Sequence, residues 1–199
     1  EGDLMQPHQC TDSIYDASVA LQLLKEGNQR FVLGYPTEKK SCESDRKILS
    51  KGQHPIAVML CCSDSRVAPE IIFDQNLGDI FVIRNAGNVV DDVVLASIEY
   101  GVDLLLCPLV IVCGHSNCGA VNAVCKGTLH LPHLHSVAQR IQPALVNEAS
   151  ADEVARCNVK NMAKQLQQAL QELAAPVTVM GAFYNMVSGV VEWFDDVPQ

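Results

Sequence analysis

Nowhere does the 199-residue sequence contain the run of about 18 apolar residues that a membrane-crossing helix requires, so no transmembrane span is expected. Positive charge is also scarce. Fourteen Lys and Arg stand against 23 Asp and Glu, a formal net charge of −9, which argues against nucleic acid or an anionic membrane as partner. No internal repeat, low-complexity tract or Gly/Ser linker interrupts the chain, and no H-E-x-x-H helix is present. No signal-like segment opens it at Glu1, where a trimmed chain and a processed mature protein would look the same. A composition of 48% apolar and 19% charged residues then fits one globular domain able to bury its own core.

Nine cysteines are an odd number, set mostly inside apolar runs and without the dense spacing of a disulfide scaffold. That pattern fits a reduced compartment and a metal site. Cys10 and Cys42 lie in polar segments that could be oxidised. The expected location is cytoplasmic, or an organelle or the periplasm where the N-terminus has been processed.

Residues 1–11 are polar and read as a flexible N-terminus. A helix is expected from Asp12, capped by Asp12 or Ser13, with Ala17, Leu21, Leu24 and Phe31 as one apolar stripe and Gly34-Tyr35-Pro36 as its end. That stripe suits a core-packing helix or an arm on a second subunit equally well. Residues 36–53 read as a loop with at most one helical turn. Strands are expected at Ile56 to Cys61, Ile80 to Ile83 and Leu109 to Cys113, all β-branched and apolar enough for a parallel sheet buried on both faces. Between them lie a short helix at 67–75 and a helix from Asp91 or Asp92 to Tyr100, closed by Gly101 in the left-handed conformation. A helix capped by Ser116 or Asn117 runs to Lys126-Gly127, with Cys118 in its first turn, where the N–H groups and the helix dipole are expected to stabilise its thiolate and depress its pKa. Helices at 134–147 and 151–173 follow, the second opened by a Ser150–Glu153 capping box, with Cys157 on its core face. Strands at 177–184 and 190–194 make an antiparallel edge hairpin. Alternating strands and helices point to an α/β fold, a mostly parallel sheet flanked by helices.

Two of the expected strands end in residues suited to chemistry. After the first come Cys62-Ser63-Asp64-Ser65-Arg66, and after the third His115-Ser116-Asn117-Cys118. Successive strand residues face opposite ways, so Cys61 and Cys62 cannot both reach one metal. Cys62, at the strand end, is the ligand, and Cys61 a small core residue. Cys62, His115 and Cys118 then offer sulfur, nitrogen and sulfur to Zn²⁺ and leave a fourth position open, the arrangement of a catalytic zinc site. Two thiolates and a neutral imidazole cancel the charge of the ion, whose bound water becomes a hydroxide near neutral pH. Asp64 reaches the open side, and Arg66 offers a planar fork to hold that carboxylate ionised and off the metal. A small electrophile without a leaving group suits such a site. His130, His133 and His135 read as polar loop residues, because no carboxylate or cysteine is interleaved with them.

These stretches, with Arg84-Asn85-Ala86-Gly87-Asn88 between them and Gly119 after Cys118, resemble the β-class carbonic anhydrases in order and spacing, over about residues 12–195 as a single domain. The resemblance implies zinc, one per subunit, on Cys62, His115 and Cys118, an Asp64–Arg66 dyad, and reversible hydration of CO₂ to bicarbonate. It also implies a homodimer or a dimer of dimers, with residues 12–35 as an N-terminal arm on the neighbour. Further positions resemble the plant-like branch: Gln53 as a substrate-binding amide, and Phe81, Ala86, Tyr100 and Gly119 around the CO₂ pocket, with Phe81 and Tyr100 supplied by the partner chain. Members that switch off with aspartate on zinc carry a tryptophan three residues before the first zinc cysteine. Here Met59 stands there, which implies an open site. Some plant relatives carry a histidine where this chain has Leu104, so the proton would leave through buffer, Tyr100 or a more distant histidine. A hydrolase of COS or CS₂ and a catalytically inactive zinc-binding subunit are the alternatives to the anhydrase.

Overall fold

A computed structural model of the chain describes residues 16–128, 131–172 and 176–194. The expectations for residues 1–11, for a cap at Asp12 or Ser13, and for Cys10 and His130 lie outside the described residues. Five strands form one sheet: β1 (Ala57–Cys62), β2 (Ile80–Asn85), β3 (Leu109–His115), β4 (Thr178–Tyr184) and β5 (Val191–Phe194). Their order is β2-β1-β3-β4-β5, parallel except for β5, which runs antiparallel to β4. The expected mostly parallel sheet with an antiparallel C-terminal hairpin is therefore present. No helix among the described residues is long and apolar enough to cross a membrane.

The pleat sorts the core into two layers. Val58, Leu60 and Cys62 face a cluster that includes Val154, Val159 and Met162, whereas Ala57, Met59 and Cys61 face another with Ala20, Leu24 and Phe73. The first layer is covered by α4 (Asp92–Glu99), α5 (Gly119–Cys125), α6 (Leu134–Ile141) and α7 (Ala151–Ala169). The second is covered by α1 (Ala17–Leu33) and α3 (Pro69–Ile72), with α2 (Glu43–Leu49) outside both. Cys61 is fully buried among apolar neighbours, and burial pushes its thiol up to about 12, so it is a core residue as expected.

Several boundaries differ from the sequence reading. The helix expected from Asp12 has its cap at Asp16, whose carboxylate accepts from the Val19 N–H at 2.9 Å. That helix packs on its own chain's sheet: the buried Asn28 donates to the Ile72 and Gly189 carbonyls and accepts from the Val191 N–H. The loop at 36–53 contains two helical turns as α2, because Cys42 caps it together with Asp45. The short helix at 67–75 shrinks to α3. The helix expected at 134–147 stops at Ile141, where Pro143 removes a backbone donor and a 3-10 turn takes over.

Gly101 does not close α4 in a left-handed turn. The chain instead widens into a π turn over Tyr100–Leu104, with Gly101 buried inside it. A Cβ there would lie 2.5 Å from Val58 Cγ2, so close packing on β1 is what demands glycine. The Ser150–Glu153 capping box is present at the start of α7. Cys157 is only half-buried at the edge of the core, and Asn158, fully buried, sits among the apolar residues of that helix.

Candidate metal centre

The sheet order places the site. β1 connects outward to β2, and β3 then returns on the other side of β1. Reversals of this kind open a crevice at the carboxyl ends of the strands, and here Cys62 ends β1 and His115 ends β3. Cys118 follows as the N-cap residue of α5, one position before the helix rather than inside its first turn.

Cys62 Sγ, Cys118 Sγ and a ring nitrogen of His115 all lie within 4.8 Å of one another, and all three residues are buried. The two sulfurs are 4.0 Å apart. A disulfide needs about 2.05 Å, so they are not bonded, and two thiolates each about 2.3 Å from a tetrahedral zinc would sit at about 3.8 Å. His115 Nδ1 lies 2.9 Å from the Ser116 carbonyl, which can only accept, so Nδ1 carries the proton and Nε2 keeps its lone pair. That Nε2 is buried with no partner among the described residues. An unpartnered buried nitrogen facing two sulfurs fits a zinc ion, and this donor set of two sulfurs and one nitrogen leaves one position free.

The two thiols titrate as a pair. Sharing a proton with Cys118 pulls Cys62 well below the ordinary thiol value, helped by His115 and by the Gly87 and Asp64 N–H groups, while burial opposes the shift. Cys118 is pushed up, first by the neighbouring sulfur and then by burial. The Ala120 and Val121 N–H groups of α5 pull its thiol the other way, as expected of a helix terminus, against Cys62 Sγ 4.0 Å away.

Around the cluster, Asp64 is gripped by Arg66. The Arg66 Nε and backbone N–H donate to Oδ1 at 2.9 and 3.0 Å, and Nη2 donates to Oδ2 at 2.7 Å. This guanidinium holds the Asp64 carboxyl well below the usual carboxylate range. Asp64 is not among the three residues that converge within 4.8 Å.

Residues without an assigned part in the sequence reading hold this frame. Arg84 donates to the Cys62 and Asp64 carbonyls at 3.0 and 2.7 Å, fixing the loop that carries the dyad. The Asp152 carboxylate accepts from the Asn117 N–H at 2.8 Å and steadies a residue held at φ +54°. Ser116 Oγ accepts from the Met186 N–H. A cation ending an apolar strand could have drawn attention to Arg84. Nothing in the spacing marks Asp152.

The residues implied by resemblance fall in two groups. Ala86 and Gly119 flank the ligands, Ala86 just before Gly87, whose N–H points to Cys62 Sγ at 3.4 Å, and Gly119 just after Cys118. Phe81 and Tyr100 stack with ring centroids 5.9 Å apart. Phe81 pairs with Val58, four residues before Cys62 in register with Asn85, and so lies about 13 Å back along the sheet at about 3.3 Å per residue. Gln53 is exposed on the loop that enters β1 at that same far end. Within one chain these three do not join the cluster. His133 and His135 are exposed and form no metal cluster among the described residues.

A family model described as carbonic anhydrase matches residues 57–191. Carbonic anhydrase 2 of Mycobacterium tuberculosis is 50% identical over 131 residues, which cover 64% of this chain and 63% of that protein. The chain thus spans less than two thirds of that relative's length. The carbonic anhydrase of Mycolicibacterium smegmatis is 40% identical over 187 residues, 87% of this chain and 91% of the relative. Among solved structures, a β-carbonic anhydrase of Aspergillus fumigatus superposes with a TM-score of 0.69 at 28% identity, covering 92% of this chain and 91% of its own. One of two tetrameric β-carbonic anhydrases of Sordaria macrospora gives 0.66 at 25% identity over 75% and 85%. With its sheet order, its sulfur–nitrogen–sulfur cluster and these likenesses together, the chain belongs to the β-carbonic anhydrase family.

Proposed function

We propose that this chain catalyses the reversible hydration of CO₂ to bicarbonate and a proton at a zinc ion held by Cys62, His115 and Cys118. The observation that carries this reading is the convergence of two buried sulfurs and an unpartnered imidazole nitrogen within 4.8 Å at the crevice of the sheet. Bound there, zinc supplies Lewis acidity that brings the pKa of a water molecule towards roughly 7.

The protein contributes orientation and charge. Asp64, kept ionised by Arg66, accepts a hydrogen bond from the attacking water and turns a lone pair towards the carbon of CO₂. Because Asp64 spends its oxygens on Arg66 and stands outside the cluster, and because Met59 occupies the position before Cys62 noted above, the site is of the open kind. Ala86 and Gly119 leave room beside the ligands for a small linear substrate. The apolar wall of Phe81 and Tyr100 and the Gln53 amide reach the cluster of a second copy, since in their own chain they lie at the far end of the sheet. An apolar wall suits CO₂ and an amide donor suits bicarbonate. The copies therefore act as a dimer or a dimer of dimers, supported by the tetrameric relatives and by the half-buried edge strand β2.

Stopped-flow measurement of CO₂ hydration on zinc-loaded protein, beside an assay for COS hydrolysis, tests the reading. Rapid hydration with little COS turnover is expected. COS turnover alone would reassign the substrate, and neither activity with zinc bound would mark an inactive subunit.

A further inference from the structure

Asn158 lies in the middle of α7, fully buried between Val154, Ala155, Val159 and Met162. Helix–sheet packing alone has no use for an amide there, and a buried polar group costs free energy unless it is paired. Its Nδ2 donates to the Gly87 carbonyl at 3.0 Å, across 71 residues of sequence. Its Oδ1, like Nδ2 of the neighbouring buried Asn88, has no partner among the described residues. One donated hydrogen bond is what the amide accomplishes.

Gly87 is the residue on which this bond acts. It stands at φ +76° and ψ 16°, and its N–H points at Cys62 Sγ from 3.4 Å. At this positive φ any other residue would be strained, and a Cβ would also press on Ile141 Cδ1 at 2.8 Å. Glycine is also the residue with the greatest backbone freedom. Left alone, the peptide groups on either side could turn. With the carbonyl side fastened to α7, the amide side stays aimed at the sulfur.

We propose that Asn158 is a positioning residue for the metal centre: by fixing the Gly87 carbonyl it holds the Gly87 N–H against the sulfur of Cys62. An N–H directed at a ligating thiolate withdraws charge from it, so less charge is donated to the metal and the ion stays more Lewis acidic. The proposal rests on the assignment of zinc to Cys62, His115 and Cys118.

The test uses the full chain loaded with metal. Asn158→Leu keeps a similar volume and removes the donor. Its cobalt-loaded form is expected to show the sulfur-to-metal charge-transfer band moved to lower energy. Its zinc-loaded form should keep its zinc, with a melting temperature close to that of the parent. A merely structural Asn158 would shift the melting temperature and leave the band where it was. An unmoved band in the folded variant overturns the proposal.

Should Asn158→Leu not fold, the parent chain and Asn158→Ala, loaded with the spin-active cadmium isotope, decide. The parent must show through-bond coupling between the metal and the Gly87 amide proton, transmitted by the Cys62 sulfur. In Asn158→Ala no side chain remains to donate to the Gly87 carbonyl, and that coupling must weaken. No coupling in the parent, or undiminished coupling in Asn158→Ala, overturns the proposal. A parent chain that binds no metal at all would instead overturn the metal reading itself.

Discussion

Arg66 holds Asp64 by two parallel hydrogen bonds, Nε to Oδ1 at 2.9 Å and Nη2 to Oδ2 at 2.7 Å, two residues beyond a cysteine of the metal cluster. A carboxylate occupied in this way is poised to orient a neighbour rather than to become a ligand. Asp64→Ala is therefore expected to keep its zinc while CO₂ hydration falls about 10- to 100-fold, measured as metal content and stopped-flow rate on the same sample. Arg66→Lys, which offers a point charge in place of a fork, should fall between parent and Asp64→Ala. Unchanged hydration in Asp64→Ala would remove the dyad from the mechanism.

On the proposed function, the separation of Phe81 and Tyr100 from the cluster of their own chain makes assembly a condition of activity. β2 is the edge of the sheet, and Val93, Tyr100 and Leu104 beside it are exposed. A charge placed at Phe81, as in Phe81→Glu, is expected to shift the mass seen by light scattering from a multiple of 21.6 kDa towards that of one chain. Zinc should stay bound and hydration should be lost. A monomeric variant with parental activity would show that each chain completes its own site.

Asp74 predicts where acid weakens the fold. Its side chain is fully buried and accepts from Arg30 Nε at 2.6 Å, from Lys39 Nζ, and from the Thr37 N–H and hydroxyl. Burial alone would raise its pKa, but Lys39, Arg30 and Thr37 outweigh it and hold the carboxyl well below its ordinary value. A folded pKa below the unfolded one gives stability that is whole above about pH 4 and is lost as pH falls towards the depressed value. Asp74→Asn should lower unfolding stability by about 1–3 kcal/mol at neutral pH, because both cations are partly exposed and rehydrate. Urea titrations of the variant should show a flatter dependence on pH below 4 than those of the parent. Parallel curves would place the acid-labile group elsewhere.

At Gly101 the structure makes a packing prediction. With Val58 Cγ2 at 2.5 Å from the place of a Cβ, Gly101→Ala should cost about 1–3 kcal/mol by forcing the π turn away from β1. Thermal unfolding reads the loss, and an unchanged melting temperature would mean that the turn yields freely.

The sheet was legible in the sequence because each buried parallel strand is a short β-branched run between breakers, and the sulfur–nitrogen–sulfur cluster was legible because Cys62 and His115 end two such runs and Cys118 follows closely on the second. Cys62 and Cys61 were separated by the pleat alone, and the structure places them on opposite faces of β1. The rest depends on tertiary contact. Gly101 resembles a helix terminator in sequence, but its role is set by Val58 across the core. The Cys118 thiol beside α5 reads as a helix-stabilised thiolate, and only folding sets the Cys62 sulfur 4.0 Å from it. Nothing in the sequence singles out Asn158, whose amide only folding brings to the Gly87 carbonyl.

The most direct test of the central claim is metal analysis of the purified protein together with anomalous scattering at the zinc edge. One zinc per chain, touching Cys62 Sγ, His115 Nε2 and Cys118 Sγ with no protein atom in the fourth position, is the predicted result. An absence of zinc among these three residues, or a fourth protein ligand closing the site, would contradict it.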